Sequence, residues 1–356
     1  MSERSLCIKI RKIYGERTLV LANKLGISNR ELKIQQNKNH IFIPLVRNPN
    51  EIELAKLKAE LLHFELETRV FARKKTQRRT LHQVLEDQLP PNLLVSLPRA
   101  LDIIGDIAVI DIPPELKAYK QVIGEALLKT HKNVQTVLAK IGSVSGIYRL
   151  REIEQIAGIK KTTTTHREYG CQYQVDVATA YFSPRLSHEH NRVASRVQKG
   201  ETVVDLFAGV GPFSVLIAKK NIDAKVYAVD INPEAVEFLK KNARLNRVDN
   251  RVIPILDDAR QAVEDKLLGV ADRVIMNLPE KAIEFVDVAC KAIKSPGGSI
   301  HYYAFIRRPD SLKDEQQRFS YAVEKTGRKV DEFSIAKTIR ETAPYECQIV
   351  LDAKNL

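Results

Sequence analysis

The stretch DLFAGVGPFSV (residues 205–215) decides how the second half of this chain folds. An apolar run leads into it, two glycines follow at Gly209 and Gly211, and a second apolar run begins directly after them. Glycines at such a bend allow another group to approach the backbone closely. Pro212 stands where a helix would begin, a position at which its missing N–H costs little. The stretch therefore predicts a strand, a tight glycine turn and a helix.

Strand-like and helix-like runs alternate regularly from about residue 169 onward. The strand candidates are TVVDLF, KVYAVDI, RVIPIL, DRVIMNL and SIHYYAF, and the helix candidates are FSVLIAKK, PEAVEFLKKNARLN, DARQAVEDKLL and AIEFVDVACKAIK. Such alternation predicts an α/β fold with a doubly wound, mostly parallel sheet. Two final strand-like runs, FSIAKTIR and CQIVLDA, have no helix between them and predict a hairpin at one edge of the sheet.

Changes of pattern divide the chain into four predicted parts. Short strands and amphipathic helices in residues 1–67, and again in residues 81–168, predict two small α+β domains that precede the sheet domain, residues 169–356. Residues 68–80 join the first two and contain RVFARKKTQRR, which has six basic residues and no acidic one. This segment is either a solvated linker or a contact for phosphate groups.

The balance of charges favours a polyanionic partner. The 356 residues include 57 Lys and Arg against 44 Asp and Glu, a net charge of +13, and nucleic acid is the usual partner of so basic a protein.

No apolar run is long enough for a membrane span and the N-terminus does not resemble a signal peptide, so we expect a cytoplasmic protein without membrane contact. The four cysteines lack zinc-site spacing, so we expect no metal site. Because no apolar interface pattern stands out, we expect a monomer.

Acidic residues stand at the ends of two further predicted strands. Asp230 follows the second strand, and Asp257 and Asp258 follow the third. Ligands of such sheets bind at the carboxyl ends of the strands. Carboxylates there can accept from ribose hydroxyls and from an adenine amino group, and an acid-rich rim suits a cationic ligand but repels a pyrophosphate. The pattern therefore predicts a site for S-adenosylmethionine.

The fourth predicted strand ends in MNLPE (residues 276–280). An amide and a rigid turn beside a methyl-donor site can hold a planar base, which points to Asn277 and Pro279. A nicotinamide-dependent dehydrogenase is disfavoured, because Phe213 and Ser214 stand in the region of the third glycine of GxGxxG. The predicted cofactor-binding residues are Asp205, Phe207, Gly209, Gly211, Asp230, Asp258 and Asn277.

Several longer motifs follow one another along the chain: DIIGDIAVI, YRLREIE, HREYGCQYQVD, YFSPRLSHEHNRV (181–193), VVDLFAGVGPFSV, VDINPEAV, NLPEKAIEF and IHYYAF. Together they resemble the motifs of the archaeal–eukaryotic tRNA (guanine-N1)-methyltransferases. The resemblance covers most of the chain and is weakest over roughly the first 70 residues. It implies a class I, Rossmann-like methyltransferase that methylates N1 of the guanosine 3′ to the anticodon, position 37.

The resemblance also implies roles for single residues. Glu189 matches the family's proposed base, which would remove the N1 proton as the methyl group arrives. Arg149 or Arg151, with Arg149 preferred, would stabilise the negative charge that develops on O6. Tyr181 and Arg185 match positions near the target nucleotide and the cofactor.

An alternative role for Glu189 remains open. From the residues alone, an ion pair of Glu189 with Arg185 or Arg192 along one helix, which would make Glu189 structural, is favoured over catalysis.

The resemblance implies that tRNA is bound at two places. The first domain would contact the outer corner of the folded tRNA, and the anticodon loop would enter the site. Exposing an unpaired loop base costs less than flipping a base out of a duplex. The alternatives are a base methyltransferase acting on ribosomal RNA, a bifunctional enzyme that also methylates a tricyclic guanine of the wyosine pathway, and a non-catalytic RNA-binding protein.

Overall fold

The structure is a computed structural model that describes residues 2–61, 63–74, 80–98, 100–148, 150–354 and 356. The chain divides into two compact units, residues 1–79 and 80–356. No helix in the described ranges is long and apolar enough to cross a membrane.

A small α+β fold forms the first unit. Its elements are β1 Ser2–Arg11, α1 Gly15–Lys24, β2 Gln35–Gln36, β3 His40–Pro44, α2 Glu51–Glu60 and β4 Glu65–Ala72. The strands form one antiparallel sheet in the order β2-β3-β1-β4. Ile8 and Ile10 of β1 are buried in one apolar cluster with Leu21 of α1 and Leu57 of α2. Both helices therefore pack on the same face of the sheet.

Strand β4 corrects the predicted start of the linker. Residues 68–72 belong to this strand, which pairs with β1 along its whole length. The Phe71 side chain is fully buried, so the strand continues past residue 67 to cover the second edge of β1. The basic residues 75–79 lie outside the described residues.

The second unit begins with a smaller mixed sheet. Its elements are α3 Leu81–Leu85, α4 Pro91–Leu94, β5 Leu101–Ile104, β6 Ile107–Asp111, α5 Lys120–Thr130, β7 Thr136–Ser145 and β8 Leu150–Gly158. The order is β5-β6-β7-β8, and only β6 and β7 are parallel. Ile123 and Leu127 of α5 are buried against Ile110 and Val137 of the sheet in one cluster.

A seven-stranded sheet follows, and it confirms the predicted doubly wound fold. Its strands come after β9 Thr163–Glu168 and β10 Cys171–Asp176, and they are β11 Thr202–Asp205, β12 Lys225–Asp230, β13 Val252–Leu256, β14 Arg273–Met276, β15 Ser299–Arg307, β16 Glu332–Ala343 and β17 Glu346–Lys354. The order is β13-β12-β11-β14-β15-β17-β16. Strands β11 to β15 are parallel, and β17 is antiparallel to both of its neighbours. The predicted edge hairpin is therefore β16–β17.

Helices cover both faces of this sheet. They are α6 Ser187–Ala194, α7 Pro212–Lys220, α8 Pro233–Leu245, α9 Ala259–Ala262, α10 Val286–Ala292 and α11 Leu312–Glu324. Residues of α6, α7 and α8 are buried in one apolar cluster, and residues of α9, α10 and α11 are buried in another. Strand β11 connects to β12 on one side and lies beside β14 on the other. The order in which strands are added to the sheet therefore reverses at β11, which opens a crevice at the carboxyl ends of the strands.

The hairpin of β9 and β10 corrects the predicted domain boundary at residues 168 and 169. This boundary falls in the turn between two strands that pair directly. The side chains of Asn242 and Asn246 on α8 accept from the backbone N–H groups of Gln174 and Gln172, at 2.7 and 2.9 Å. These bonds fasten the hairpin to a helix of the seven-stranded sheet.

A buried carboxylate on β17, Asp352, connects the sheet to α6. It accepts from the guanidinium groups of Arg192 and Arg196 and from Nδ1 of His301, the last at 2.7 Å. Nε2 of His301 lies 2.8 Å from Nη1 of Arg273, which can only donate, so the ring is neutral with its proton on Nδ1. Burial opposes the charge on Asp352, but His301 and Arg192 hold the pKa of this carboxyl well below its ordinary value.

Asp352→Asn is predicted to destabilise the second unit strongly. The change removes the buried charge that binds Arg192, Arg196 and His301 and leaves Arg192 with Glu189 alone, and breaking a buried pair in this way costs about 3–5 kcal/mol. For a unit of this size we expect the midpoint of thermal unfolding to fall by about 6 °C or more. The measurement is a thermal melt followed by circular dichroism.

Asp223→Asn is the matched control. Asp223 is exposed and lies 3.6 Å from Lys199, a geometry worth less than about 1 kcal/mol. Equal shifts for the two variants would contradict a structural role for the Asp352 network.

Candidate active site

A cavity of about 370 Å³ lies at the carboxyl ends of the parallel strands. Seven of the predicted site residues line it: Tyr181, Phe207, Gly209, Asp230, Asp258, Asn277 and Pro279. Asp205, Gly211, Arg185 and Glu189 do not. Two other grooves, of about 710 and 880 Å³, are more open than this cavity. They contain neither the glycine turn nor the strand-end acids.

The glycine turn closes one side of this cavity. Gly209 has a left-handed backbone (φ +55°), and its N–H donates to Oδ2 of Asp230 at 2.6 Å. Gly211 is also left-handed (φ +90°), but a Cβ placed there would lie 2.3 Å from Cδ1 of Leu239 on α8. Gly211 therefore allows the turn to pack on α8, and it does not line the cavity.

Asp205 lies beneath the turn rather than in the cavity. Its side chain is fully buried, Oδ2 accepts from Ser214 Oγ at 2.7 Å, and Oδ1 has no partner among the described residues. Burial raises the pKa of this carboxyl to about 7. Asp205 thus joins the end of β11 to the first turn of α7.

Three carboxylates form one half of the cavity wall. Asp230 accepts from the N–H groups of Gly209 and Asn232, and burial raises its pKa against the effect of these bonds. Asp258 caps α9 through the N–H of Arg260 at 2.8 Å. Asp257 lies beside it in the wall. This half carries concentrated negative charge and suits a cationic ligand with hydroxyl and amino donors.

An unsatisfied amide marks the middle of the cavity. Oδ1 of Asn277 is buried and has no hydrogen-bond partner among the described residues. The carbonyl of Pro279 accepts from the N–H of Phe305 at 3.1 Å, which fixes the turn after β14. Nearby, Phe207 packs edge-on against Phe285 at 5.1 Å between ring centroids. A buried acceptor without a donor is rare in proteins and fits a site completed by a ligand N–H.

Of the other predicted substrate residues, Tyr181 lines the cavity and Arg185 does not. Tyr181 is half-exposed and lines the cavity. Arg185 instead directs its Nε to Oδ1 of Asp102 on β5 at 2.5 Å. This ion pair joins the small sheet to the segment before α6.

Glu189 is buried in ion pairs. Its Oε2 accepts from Arg192 Nε at 2.7 Å and from Tyr303 OH at 3.2 Å, and its Oε1 lies 2.9 Å from Lys337 Nζ. Burial alone would raise the pKa of Glu189, but Lys337 and Arg192 bring it below its ordinary value. The carboxylate is thus ionised, and the helical pair with Arg192 considered above is present.

The side chains of the two arginines expected near O6 fall outside the described part of the structure. Arg149 lies outside the described residues. Arg151 belongs to β8, but its side chain is also outside the described part of the structure. The neighbouring Gly146, Ile147 and Tyr148 do line the cavity, which supports that segment as part of the site.

Sequence reasoning missed the contribution of the edge hairpin. Arg340 of β16 and Gln348 of β17 line the cavity beside Phe305 of β15. The apolar strand patterns FSIAKTIR and CQIVLDA predicted both strands, but a strand pattern does not say which face meets a distant site. Among the described residues, no group of three or more His, Cys, Asp or Glu side chains is placed to hold a metal ion.

The residues fit S-adenosylmethionine. The carboxylates beside the glycine turn match a cation with ribose hydroxyls, and the turn lets the ligand approach the backbone. The unpaired Oδ1 of Asn277 supplies an acceptor at the point where this half of the cavity ends.

Comparisons with known proteins agree with this geometry. Residues 164–332 match the TRM5/TYW2 methyltransferase domain, residues 81–162 the TYW2 N-terminal domain and residues 7–53 the tRNA methyltransferase 5 N-terminal domain. The chain is similar to tRNA (guanine(37)-N(1))-methyltransferase Trm5b of Pyrococcus abyssi, with 40% identity over 348 residues and 98% of both chains covered.

Two solved structures extend the comparison. The complex of aTrm5 and tRNALeu has a TM-score of 0.73 at 33% identity, and the match covers 99% of this chain and 100% of that one. M. jannaschii TYW2 in complex with AdoMet has a TM-score of 0.55 at 30% identity over 72% of this chain and 98% of that one. The predictions of an enzyme, of its fold class and of S-adenosylmethionine as cofactor are thereby confirmed. The chain belongs to the TRM5/TYW2 family of methyltransferases.

Proposed function

We propose that this protein transfers the methyl group of S-adenosylmethionine to N1 of guanosine 37 in tRNA. The observation that carries the proposal is the two-part cavity, in which an acidic half adjoins the unpaired amide of Asn277. The similarity to Trm5b over the full chain supports the same substrate. The net charge of +13 suits a polyanionic partner.

The acidic half would hold the cofactor. Asp230 would accept from the ribose hydroxyls, Asp258 from the adenine amino group, and Phe207 would pack on the cofactor. When bound, S-adenosylmethionine supplies an electrophilic methyl group on a positive sulfur. Asn277 and Pro279 would hold the target base on the other side of that methyl group.

Proton removal is the part of the reaction that the protein must supply. The new bond joins N1 to the methyl carbon, the bond from sulfur to that carbon breaks, and the N1 proton goes to a base. Glu189 is the proposed base, as it is ionised and buried. Arg149, or Arg151, would stabilise the negative charge on O6.

Glu189 needs a free oxygen atom to accept this proton. Arg192 is buried with Asp352 and is fixed in place, whereas Lys337 is about half-exposed, with 47% of its side chain accessible. The pair of Lys337 with Oε1 is therefore the one that opens most easily. We infer that Lys337 leaves Glu189 when the anticodon loop enters and its phosphates compete for the ammonium group.

The first unit would contribute tRNA recognition. Its match to the tRNA methyltransferase 5 N-terminal domain supports this role. We propose that the first unit contacts the outer corner of the tRNA, and that the methyltransferase domain holds the anticodon loop together with the smaller mixed sheet of the second unit.

A second acceptor is favoured by one observation. Residues 81–162 match the TYW2 N-terminal domain, which suggests a tricyclic guanine at the same tRNA position as an additional substrate. Base methylation of ribosomal RNA has no comparable support.

The proposed target is tested with two tRNA transcripts that differ only at position 37. With guanosine there, we expect transfer of labelled methyl groups and recovery of 1-methylguanosine after digestion. With adenosine we expect none, because its N1 carries no proton and its N6 is a donor. Equal labelling of both transcripts would contradict the proposed target.

Glu189→Gln is predicted to lower the single-turnover rate about 10²-fold or more, since general bases contribute about 10²–10⁴-fold. Cofactor binding, followed by equilibrium dialysis, should be unchanged because Glu189 does not line the cofactor half.

Glu315→Gln serves as the matched control. Glu315 is also buried and paired, with Tyr302 and Arg318, but no residue of its helix α11 lines the cavity, whereas Leu186 and His190 beside Glu189 do. Its rate should change less than about 3-fold. An undiminished rate for Glu189→Gln would assign Glu189 to structure alone.

A further inference from the structure

The cavity is polarised along the edge of the sheet. In spatial order, its wall is contributed by the acids that follow β13 and β12, the glycine turn after β11, Asn277 after β14, and then β15, β17 and β16. The last two strands contribute Gln348 and Arg340. Three carboxylates therefore lie at one end of the cavity and an arginine at the other, and Asn277, Glu280 and Lys281 after β14 line the cavity between them.

Arg340 reaches the cavity because of a local irregularity in β16. The register with β17 shifts between Thr338 and Arg340. Thr338 lines a groove together with Cys347, whereas Arg340 lines the cavity together with Gln348, although strand residues two apart ordinarily share a face. A β-bulge of this kind re-aims a side chain. The bulge thus places a guanidinium beside the cavity.

The guanidinium of Arg340 is only partly satisfied. Nε donates to Oε1 of Gln348 at 2.9 Å, and Nη1 makes a long bond of 3.5 Å to Ser183 Oγ. Within the described ranges, Nη2 has no hydrogen-bond partner and no carboxylate lies within ion-pair distance of Arg340. By contrast, Arg307 on the neighbouring β15 is paired with Glu346 at 2.7 Å. Arg340 therefore keeps N–H donors of its guanidinium available for a ligand. Its bonds to Gln348 and Ser183 fix the plane of the guanidinium.

We propose that Arg340 recognises the target guanine by donating two hydrogen bonds, to O6 and N7. This inference rests on the proposed function. Arginine donating to both acceptors is the commonest specific contact with guanine, and adenine presents an amino donor in place of O6. N7 lies on the opposite side of the purine from N1. A residue that binds N7 must therefore stand across the base from the methyl donor, as Arg340 stands across Asn277 from the acidic half.

The contact also fits the reaction. As the N1 proton leaves, negative charge develops on O6, and a hydrogen bond from a guanidinium to a charged oxygen strengthens. O6 has two lone pairs, so it can accept from Arg340 and from the arginine already proposed near position 149. Arg340 thus selects guanine and adds to the stabilisation of its deprotonated form.

The test combines a change in the protein with a change of one atom in the tRNA. Single-turnover rates at saturating S-adenosylmethionine are measured on tRNA that carries either guanosine or 7-deazaguanosine at position 37. 7-Deazaguanosine differs from guanosine only in lacking the N7 acceptor. Arg340→Ala should lower the rate on guanosine about 10–100-fold. The rate of the wild-type protein should be roughly 5–10-fold lower on 7-deazaguanosine than on guanosine. For Arg340→Ala the two rates should differ by less than about 2-fold, because this variant no longer contacts N7.

Three controls keep the outcomes distinct. Binding of S-adenosylhomocysteine should be unchanged in Arg340→Ala. Arg340→Lys keeps the positive charge but lacks the planar guanidinium, and its single-turnover rate should fall nearly as far as that of Arg340→Ala. If Arg340→Ala no longer binds S-adenosylhomocysteine, the comparison of guanosine with 7-deazaguanosine is made with Arg340→Lys. Arg307→Ala removes a positive charge from the same sheet edge outside the cavity and should keep the wild-type rate.

Two results would overturn the proposal. One is a wild-type rate for Arg340→Ala on guanosine 37. The other is that the losses from Arg340→Ala and from 7-deazaguanosine multiply, which would show that they act independently. Failure of the wild-type protein itself to methylate guanosine 37 would refute the proposed function instead.

Discussion

The buried carboxylate of Asp352 is the interaction on which the geometry of the site depends. It binds Arg192 from the sheet side, and Arg192 in turn binds Glu189 at 2.7 Å. Because Asp352 is itself fixed by the neutral ring of His301, these three side chains leave little freedom to the first turn of α6. The position of the proposed base is therefore set by a polar network within the sheet core rather than by a loop. Buried charges of this kind are stable only when each has a partner.

The cavity then follows from the order of the strands. The strand order reverses at β11, so the strand-end acids lie on one side of the glycine turn and Asn277 with the edge hairpin lies on the other. One continuous cavity can thereby bind a cation at its acidic end and a base that becomes negatively charged at its arginine end. Methyl transfer needs this separation, because the donor carries positive charge and the acceptor gains negative charge.

Local patterns in the sequence predicted much of this arrangement, and long-range contacts account for what they missed. Strand and helix alternation after residue 169 predicted the sheet, and the acids at strand ends predicted the side on which the cofactor binds. The same patterns placed Asp205 and Gly211 in the cavity, but burial and the contact with Leu239 turn both toward packing. The pairing of Arg185 with Asp102 and of Glu189 with Lys337 joins distant segments. Arg340 was missed because a bulge, which strand periodicity does not show, turns it toward the cavity.

The pH dependence of methyl transfer tests the central claim, that an ionised Glu189 removes the N1 proton, most directly. Values of kcat/KM on guanosine-37 tRNA, which report on the free enzyme with Lys337 still paired to Glu189, should stay level down to pH values below the ordinary range of a glutamate, because Lys337 and Arg192 lower the pKa of Glu189. Lys337→Gln removes one of these cations from a buried carboxylate, so the acid limb should move to higher pH. A wild-type limb at pH 6 or above, or profiles that coincide in the two proteins, would contradict the account.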